Sequence, residues 1–241
     1  MKIKKMESVK RLIFDADDTL WDNNIFYENA TQEFFTLYVA AGGDKHQIEN
    51  EFNETESAVV KEKGYGSNSF LYIIQSLYES HPELRENAEI ETNYHKIING
   101  FRKHLAGQIA IFPGVISTLK KLSNKYELYV LTKGNIEEQK QKLQRSKLLI
   151  HFQDSFVVHE KNLMTYKKIL QHKKWRAEEV CMVGNSPKSD INPALRMGMY
   201  AVFIPYPYTW KLESEALLKN HPQLYVVSKF SDLISLFSII D

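Results

Sequence analysis

Five short apolar runs constrain this chain more than any other feature: "RLIF" at 11–14, "ELYVL" at 127–131, "SFVV" at 155–158, "VCMVG" at 180–184 and "YAVFI" at 200–204. Each is continuous rather than alternating, the pattern of strands covered by helices on both faces. Helical spacing fills the intervals, with Val115, Ile116, Leu119 and Leu122 before the second run and Leu143, Leu148 and Leu149 after it. Strand and helix in alternation predict an α/β fold with a doubly wound parallel sheet. A further run, "LYVVS" at 224–228, is expected to add an edge strand.

The stretch between the first two runs breaks this rhythm. "NIFYENATQEFFTLYVAAGG" has apolar residues at helical spacing and stops at Gly42 and Gly43. "DKHQIENEFNETESAVVKEKG" starts at a candidate N-cap, Asp44, and stops at Gly64, while "NYHKIINGFRKHLAG" stops at Gly107. Residues 21–109 are therefore expected to form an all-helical cap domain inserted into a core made of 1–20 and 110–241. Such an insertion is entered and left by the chain at two neighbouring crossings, which make a natural hinge.

Charge and composition narrow the functions open to such a chain. With 31 Lys plus Arg against 30 Asp plus Glu, it carries no electrostatic footprint for nucleic acid. Cys181 is the only cysteine, so no intramolecular disulfide can form. The basic start "MKIKKMESVKRLIF" has an apolar run too short for a signal-peptide core, and no span approaches the ~20 apolar residues that cross a bilayer. The expectation is a soluble, cytoplasmic monomer or homodimer that binds no membrane.

The first run ends in three carboxylates, Asp15, Asp17 and Asp18, whose mutual repulsion must be relieved by a cation, a proton or a solvated turn. Strand alternation would send Asp15 and Asp17 one way and Asp18 the other. A calcium loop is excluded, because Leu20 and Phe26 stand where it needs Gly and Glu. Other strand ends carry matching chemistry. Thr132, Lys133 and Gly134 follow "ELYVL", a hydroxyl and accessible amides suited to phosphate oxygens. Lys161 follows "SFVV", and Asn185, Ser186 and Asp190 are expected in a loop after "VCMVG". In open α/β sheets ligands bind beyond the carboxyl ends of the strands, so these tips are expected to share one crevice. His159 and Cys181 are expected to be packing residues.

The order DxDxT, Thr after a hydrophobic strand, Lys, then G(D/N)xxxSD resembles the haloacid dehalogenase superfamily, and the helical insertion resembles its C1-type cap. The resemblance implies a phosphatase with Asp15 as nucleophile, Asp17 as general acid and base, and Thr132 and Lys161 as phosphoryl-holding residues. It further implies Mg²⁺ held by the carboxylates of Asp15 and Asp190 and by the backbone carbonyl of Asp17. Lys161 competes with Lys167 and Lys168 for the lysine role, and the K-x4-Y spacing to Tyr166 favours Lys161. Asn185 departs from the Asp often found there. Dehalogenating members usually lack the acid at the Asp17 position, so phosphoryl transfer to water is the implied reaction, on a small phosphorylated metabolite. A phosphomutase or a non-catalytic phosphate-binding scaffold are the alternatives. The loop "KEKGYGSNSF", with Lys61, Lys63, Tyr65 and Asn68, is the expected carrier of substrate contacts, Tyr65 foremost.

Overall fold

The structure is a computed structural model that describes residues 6–237; residues 1–5 of the basic start and residues 238–241 lie outside them. In chain order the elements are β1 (Arg11–Phe14), α1 (Asn24–Ala40), α2 (Lys45–Lys63), α3 (Ser67–Ser80), α4 (Ala88–Ala106), α5 (Val115–Leu122), β2 (Glu127–Lys133) and α6 (Ile136–Ser146). They continue with β3 (Asp154–Val158), α7 (Leu163–Lys173), β4 (Val180–Gly184), α8 (Asn192–Arg196), β5 (Tyr200–Phe203), β6 (Leu224–Val226) and α9 (Leu233–Leu236). The chain contacts gather these into two compact units, one of residues up to Asn24 together with those from Ile109 onward, the other Ile25–Gln108.

The first unit is a six-stranded sheet in the order β3-β2-β1-β4-β5-β6, with every pairing parallel. Register explains the continuous apolar runs. Leu12 sits opposite Leu128 and Cys181, and these side chains enter one buried layer with Phe14, Val130, Val183, Val115, Leu119, Leu143 and Leu233. The alternate residues Ile13, Tyr129, Leu131 and Met182 enter a second layer with Tyr166, Ile169, Leu170 and Leu195. Both faces of each central strand are thus dry, and each fully buried aliphatic side chain contributes ~1.5–3 kcal/mol relative to exposure.

Several expectations are corrected here. Ile116 and Leu149 point to solvent, because α5 and the turn after α6 bury only the stripes through Val115, Leu119, Leu122 and Leu143, Leu148. β2 runs on through Thr132 and Lys133, which pair with Val157 and Val158, so Thr132 belongs to the strand rather than to the loop after it. Cys181 is fully buried, but His159 is exposed. Asp190 lies in a π-helical turn, Pro187–Ile191, rather than a loop.

The second unit has a core of its own, with Phe34, Ile48, Phe52, Ile73, Ile74, Leu77, Ile98 and Phe101 among its buried residues. Asp44 caps α2 by accepting from the Gln47 amide at 2.9 Å. The expected loop "KEKGYGSNSF" is mostly helix. Lys61 and Lys63 lie in the last turn of α2 and Asn68 in the first turn of α3, which the sequence reading missed although Phe70, Ile73, Ile74 and Leu77 have helical spacing. What joins the two helices is Gly64, Tyr65 and Gly66, where both glycines take positive φ, 82° and 124°, that a side chain would resist.

Candidate active site

The site is built at the carboxyl end of the sheet. β1 stops at Phe14, and the Asp15 amide carries the ladder one step further by donating to the Val183 carbonyl at 2.9 Å. This hydrogen bond fixes the Asp15 backbone at the tip of the strand. Its Oδ2 accepts from the Thr19 hydroxyl at 2.9 Å, and its Oδ1 accepts a short hydrogen bond from Lys161 Nζ. Lys161, which stands between β3 and α7, also donates to Asp190 Oδ1 at 2.7 Å. Asp190 in turn accepts at Oδ2 from the Ser186 amide at 2.9 Å. Three tips, from β1, β3 and β4, therefore meet in one buried carboxylate–lysine–carboxylate triad.

With both carboxylates ionised, the charges of the triad sum to one negative. Burial, with the neighbouring Asp190, pushes the Asp15 carboxyl up to about 7 against the opposing pull of Lys161. Burial works against the Lys161 ammonium, but Asp15 and Asp190 outweigh it and hold that lysine charged. Two converging hard-oxygen donors with an unbalanced negative charge fit a small divalent cation. Gly184 makes room for this arrangement, since a Cβ there would overlap the Asp190 carboxylate. Among the described residues no three side chains of His, Cys, Asp and Glu are grouped to hold a metal ion, so the Mg²⁺ site implied by the sequence would depend on the backbone oxygen of Asp17 as its third protein ligand.

The other two aspartates take different partners. Asp17 accepts from Trp21 Nε1 at 2.7 Å, from Gln139 Nε2 at 2.8 Å, and from Lys142 Nζ at 3.0 and 3.2 Å. Burial alone would raise its carboxyl, but the Lys142 ammonium and these donors more than offset it and hold Asp17 below the usual carboxylate range. Asp18 sits at a φ of 61°, which Asp tolerates, and its Oδ1 accepts from the Asn23 and Asn24 amides at 2.9 Å. It closes the turn, and burial pushes its carboxyl up to about 8.

The remaining candidates lie on the neighbouring tips. Thr132 is buried and its hydroxyl donates to Gln139 Oε1 at 3.2 Å. Lys133 pairs closely with Glu213 and approaches Ser189 Oγ at 3.5 Å. Gly134 has a φ of 143°, and a Cβ there would come within 3.0 Å of Gln139 Nε2. Asn185 Oδ1 lies 3.2 Å from the Thr19 hydroxyl. That hydroxyl has one hydrogen, which Asp15 takes, so an amide that can turn its NH₂ toward Thr19 suits this position better than a second carboxylate. Tyr65 belongs to the helical unit, in the connection between α2 and α3.

Gln139, Lys142 and Glu213 escaped the sequence reading. The first two share the buried face of α6 with Leu143, and polar residues at helical spacing on an apolar face are the signal that could have found them. Glu213, far along the chain after β5, left no such pattern.

A parallel α/β domain whose strand tips gather an aspartate, a lysine and a second aspartate has the layout of an enzyme active site at the carboxyl end of its sheet. The family model of haloacid dehalogenase-like hydrolases matches residues 12–204, and the chain belongs to that family. It is 27% identical over 234 residues to a glyceraldehyde 3-phosphate phosphatase of Methanothermobacter thermautotrophicus, covering 93% of this chain and 98% of the relative. A protein of the same description from Methanocaldococcus jannaschii is 28% identical over 206 residues, covering 81% of this chain and 85% of the relative. Among solved structures, a haloacid dehalogenase-like family hydrolase from Xanthomonas campestris superposes with a TM-score of 0.77 at 26% identity, covering 95% of each chain. Among the described residues no helix is long and apolar enough to cross a membrane.

Proposed function

We propose that this chain is a Mg²⁺-dependent phosphatase that hydrolyses a small phosphomonoester by way of a phosphoryl group carried transiently on Asp15. The observation that carries the proposal is the Asp15–Lys161–Asp190 triad, in which one lysine serves two buried carboxylates and a negative charge is left over. The relatives described as glyceraldehyde 3-phosphate phosphatases support a small phosphorylated substrate, and the near balance of charge over the chain supports no polyanionic one.

Each residue has a role in this reading. Asp15 attacks the phosphorus in line with the leaving oxygen, the P–O bond to that oxygen breaks, and Asp17 gives the oxygen a proton. Water then attacks the phosphoryl group on Asp15, Asp17 takes the water's proton, and phosphate leaves. Lys161 and the Thr132 hydroxyl hold phosphoryl oxygens, whereas the Gly134 amide, expected to be open to phosphate, donates instead to the Val158 carbonyl at 3.1 Å, and Lys133 is engaged by Glu213. Held by Asp15, Asp190 and the Asp17 carbonyl, Mg²⁺ would neutralise charge on the transferring phosphoryl. Because Lys142 keeps Asp17 ionised at rest, Asp17 stands ready as a base and must take up a proton before it acts as the acid. The helical unit serves as the selecting cap, with Tyr65 its proposed substrate contact.

The test is phosphate release from a panel of metabolite phosphates that includes glyceraldehyde 3-phosphate, with and without Mg²⁺. Mg²⁺-dependent release from at least one small ester is expected. Failure with every ester would reject the proposal, and transfer of phosphate within a sugar phosphate in place of release would make the chain a phosphomutase.

A further inference from the structure

The segment after β5 carries a buried carboxylate that the phosphatase reading does not use. Glu213 ends a single 3₁₀ turn, Lys211–Glu213, and is only 9% exposed. It gathers donors from two strand tips. Its Oε2 accepts from the Ser186 hydroxyl at 2.9 Å and closely from the Ser189 hydroxyl, while its Oε1 pairs closely with Lys133 Nζ. Burial alone would raise the Glu213 carboxyl, but Lys133 and the two serines outweigh it and keep it ionised.

Those two serines frame the turn that presents Asp190. Ser186 gives its hydroxyl hydrogen to Glu213, so the oxygen is left to accept from the Ser189 amide at 3.0 Å and cap the turn. The backbone amide of the same serine donates to Asp190 Oδ2. On the far side, Tyr166 donates its hydroxyl to the Ser189 carbonyl at 2.9 Å. The orientation of Asp190 is therefore fixed through Ser186, and that of Ser186 through Glu213.

We infer that Glu213 is a positioning residue for the cation site: by locking Ser186 and Ser189 it holds the Asp190 carboxylate in the direction from which a divalent cation is bound, and it anchors the segment after β5 to β2 through Lys133. The inference rests on the phosphatase reading for the identity of that cation. Partners that orient a metal ligand typically contribute 10–100-fold to metal affinity.

The experiment measures Mg²⁺ binding by calorimetry and by the rise in melting temperature on adding Mg²⁺, alongside the Mg²⁺ concentration that half-activates phosphate release. Glu213→Gln keeps the shape but replaces one oxygen by an NH₂ that cannot accept, so that either Lys133 or the two serines lose their acceptor and the charge that held them is gone. It is expected to weaken Mg²⁺ binding about tenfold or more, and to raise the half-activating concentration in parallel, with kcat at saturating Mg²⁺ changed much less. Ser186→Ala cuts the link to Glu213 while leaving the Glu213–Lys133 pair in place, and is expected to shift Mg²⁺ binding in the same direction, which keeps the test open if Glu213→Gln fails to fold. Mg²⁺ binding equal to that of the unaltered chain in either folded variant would overturn the positioning role while leaving the phosphatase reading intact. An unaltered chain that neither binds Mg²⁺ nor releases phosphate would overturn both.

Discussion

The two ends of the same sheet treat their carboxylates in opposite ways. At the carboxyl end, Asp15 shares one lysine with Asp190, and burial pushes its carboxyl up to about 7. At the amino end, Glu179 directly precedes β4 and accepts from Lys10 at 2.8 Å, Arg176 at 2.9 Å and Arg11 at 3.2 Å. The hydrogen bonds from Lys10 and Arg176 hold its carboxyl down at about 2. Arg11 reaches on to Glu127 at 3.3 Å, so this cluster stitches the starts of β1, β2 and β4 together. One end has its charges satisfied and serves stability. The other leaves two buried carboxylates to one lysine, the kind of perturbed cluster found where proteins do chemistry.

The largest expected effect comes from removing one of those two carboxylates. Asp15→Asn should abolish turnover, by roughly 10³-fold or more, since the nucleophile is lost. It should also leave the metal-free melting temperature unchanged or raise it, because an unbalanced buried charge disappears. Kinetics and a thermal scan on one preparation check both halves, and a large loss of stability would break the contrast between the two ends.

Asp17→Asn comes next. The proton donor is lost, so release from alkyl phosphates should fall by ~10²–10⁴, while aryl phosphates with good leaving groups suffer less. Equal losses on both substrate types, measured at saturating Mg²⁺, would remove Asp17 from the acid role.

At the opposite end, Glu179→Gln should lower the melting temperature by several degrees and leave kcat/KM unchanged. The sign with pH follows from the lowered carboxyl. The stabilisation is present above its ordinary value of 4.5 and is lost as the pH falls toward about 2. Denaturation of both proteins across pH 7 to 2 should therefore show two stability curves that converge in acid.

The smallest effect is expected from Tyr65→Ala, a few-fold change in kcat/KM that differs from one phosphomonoester to another. A uniform loss that tracks melting temperature would make Tyr65 a packing residue of the helical unit.

Much of the sheet was legible because its residues obey one rule at a time. "RLIF" and "VCMVG" are buried on both faces, and their continuous hydrophobicity says so. Asp15, Lys161 and Asp190 stood out because each follows such a run. Lys142 and Glu213 did not, since their meaning lies in what the fold brings to them: Lys142 meets Asp17 across 125 positions and Glu213 meets Lys133 across 80. In the helical unit, α3 was hidden behind "GYGSNS", whose glycines and serines read as loop although Ser67 already begins a helix.

The central place of β1 has a consequence for how the protein is made. Both of its neighbours, β2 and β4, come far later in the chain, starting at Glu127 and Val180. At translation rates of ~5–20 residues per second, β1 would wait roughly 5–20 seconds before the first partner strand exists. The helical unit, whose buried core is drawn from residues 30–101, lies entirely in that interval and can begin to collapse while β1 is still unpaired. The first of the described strands to be synthesised is thus the last kind of element able to fold alone, and most of the chain must leave the ribosome before the acidic tip of β1 meets Lys161.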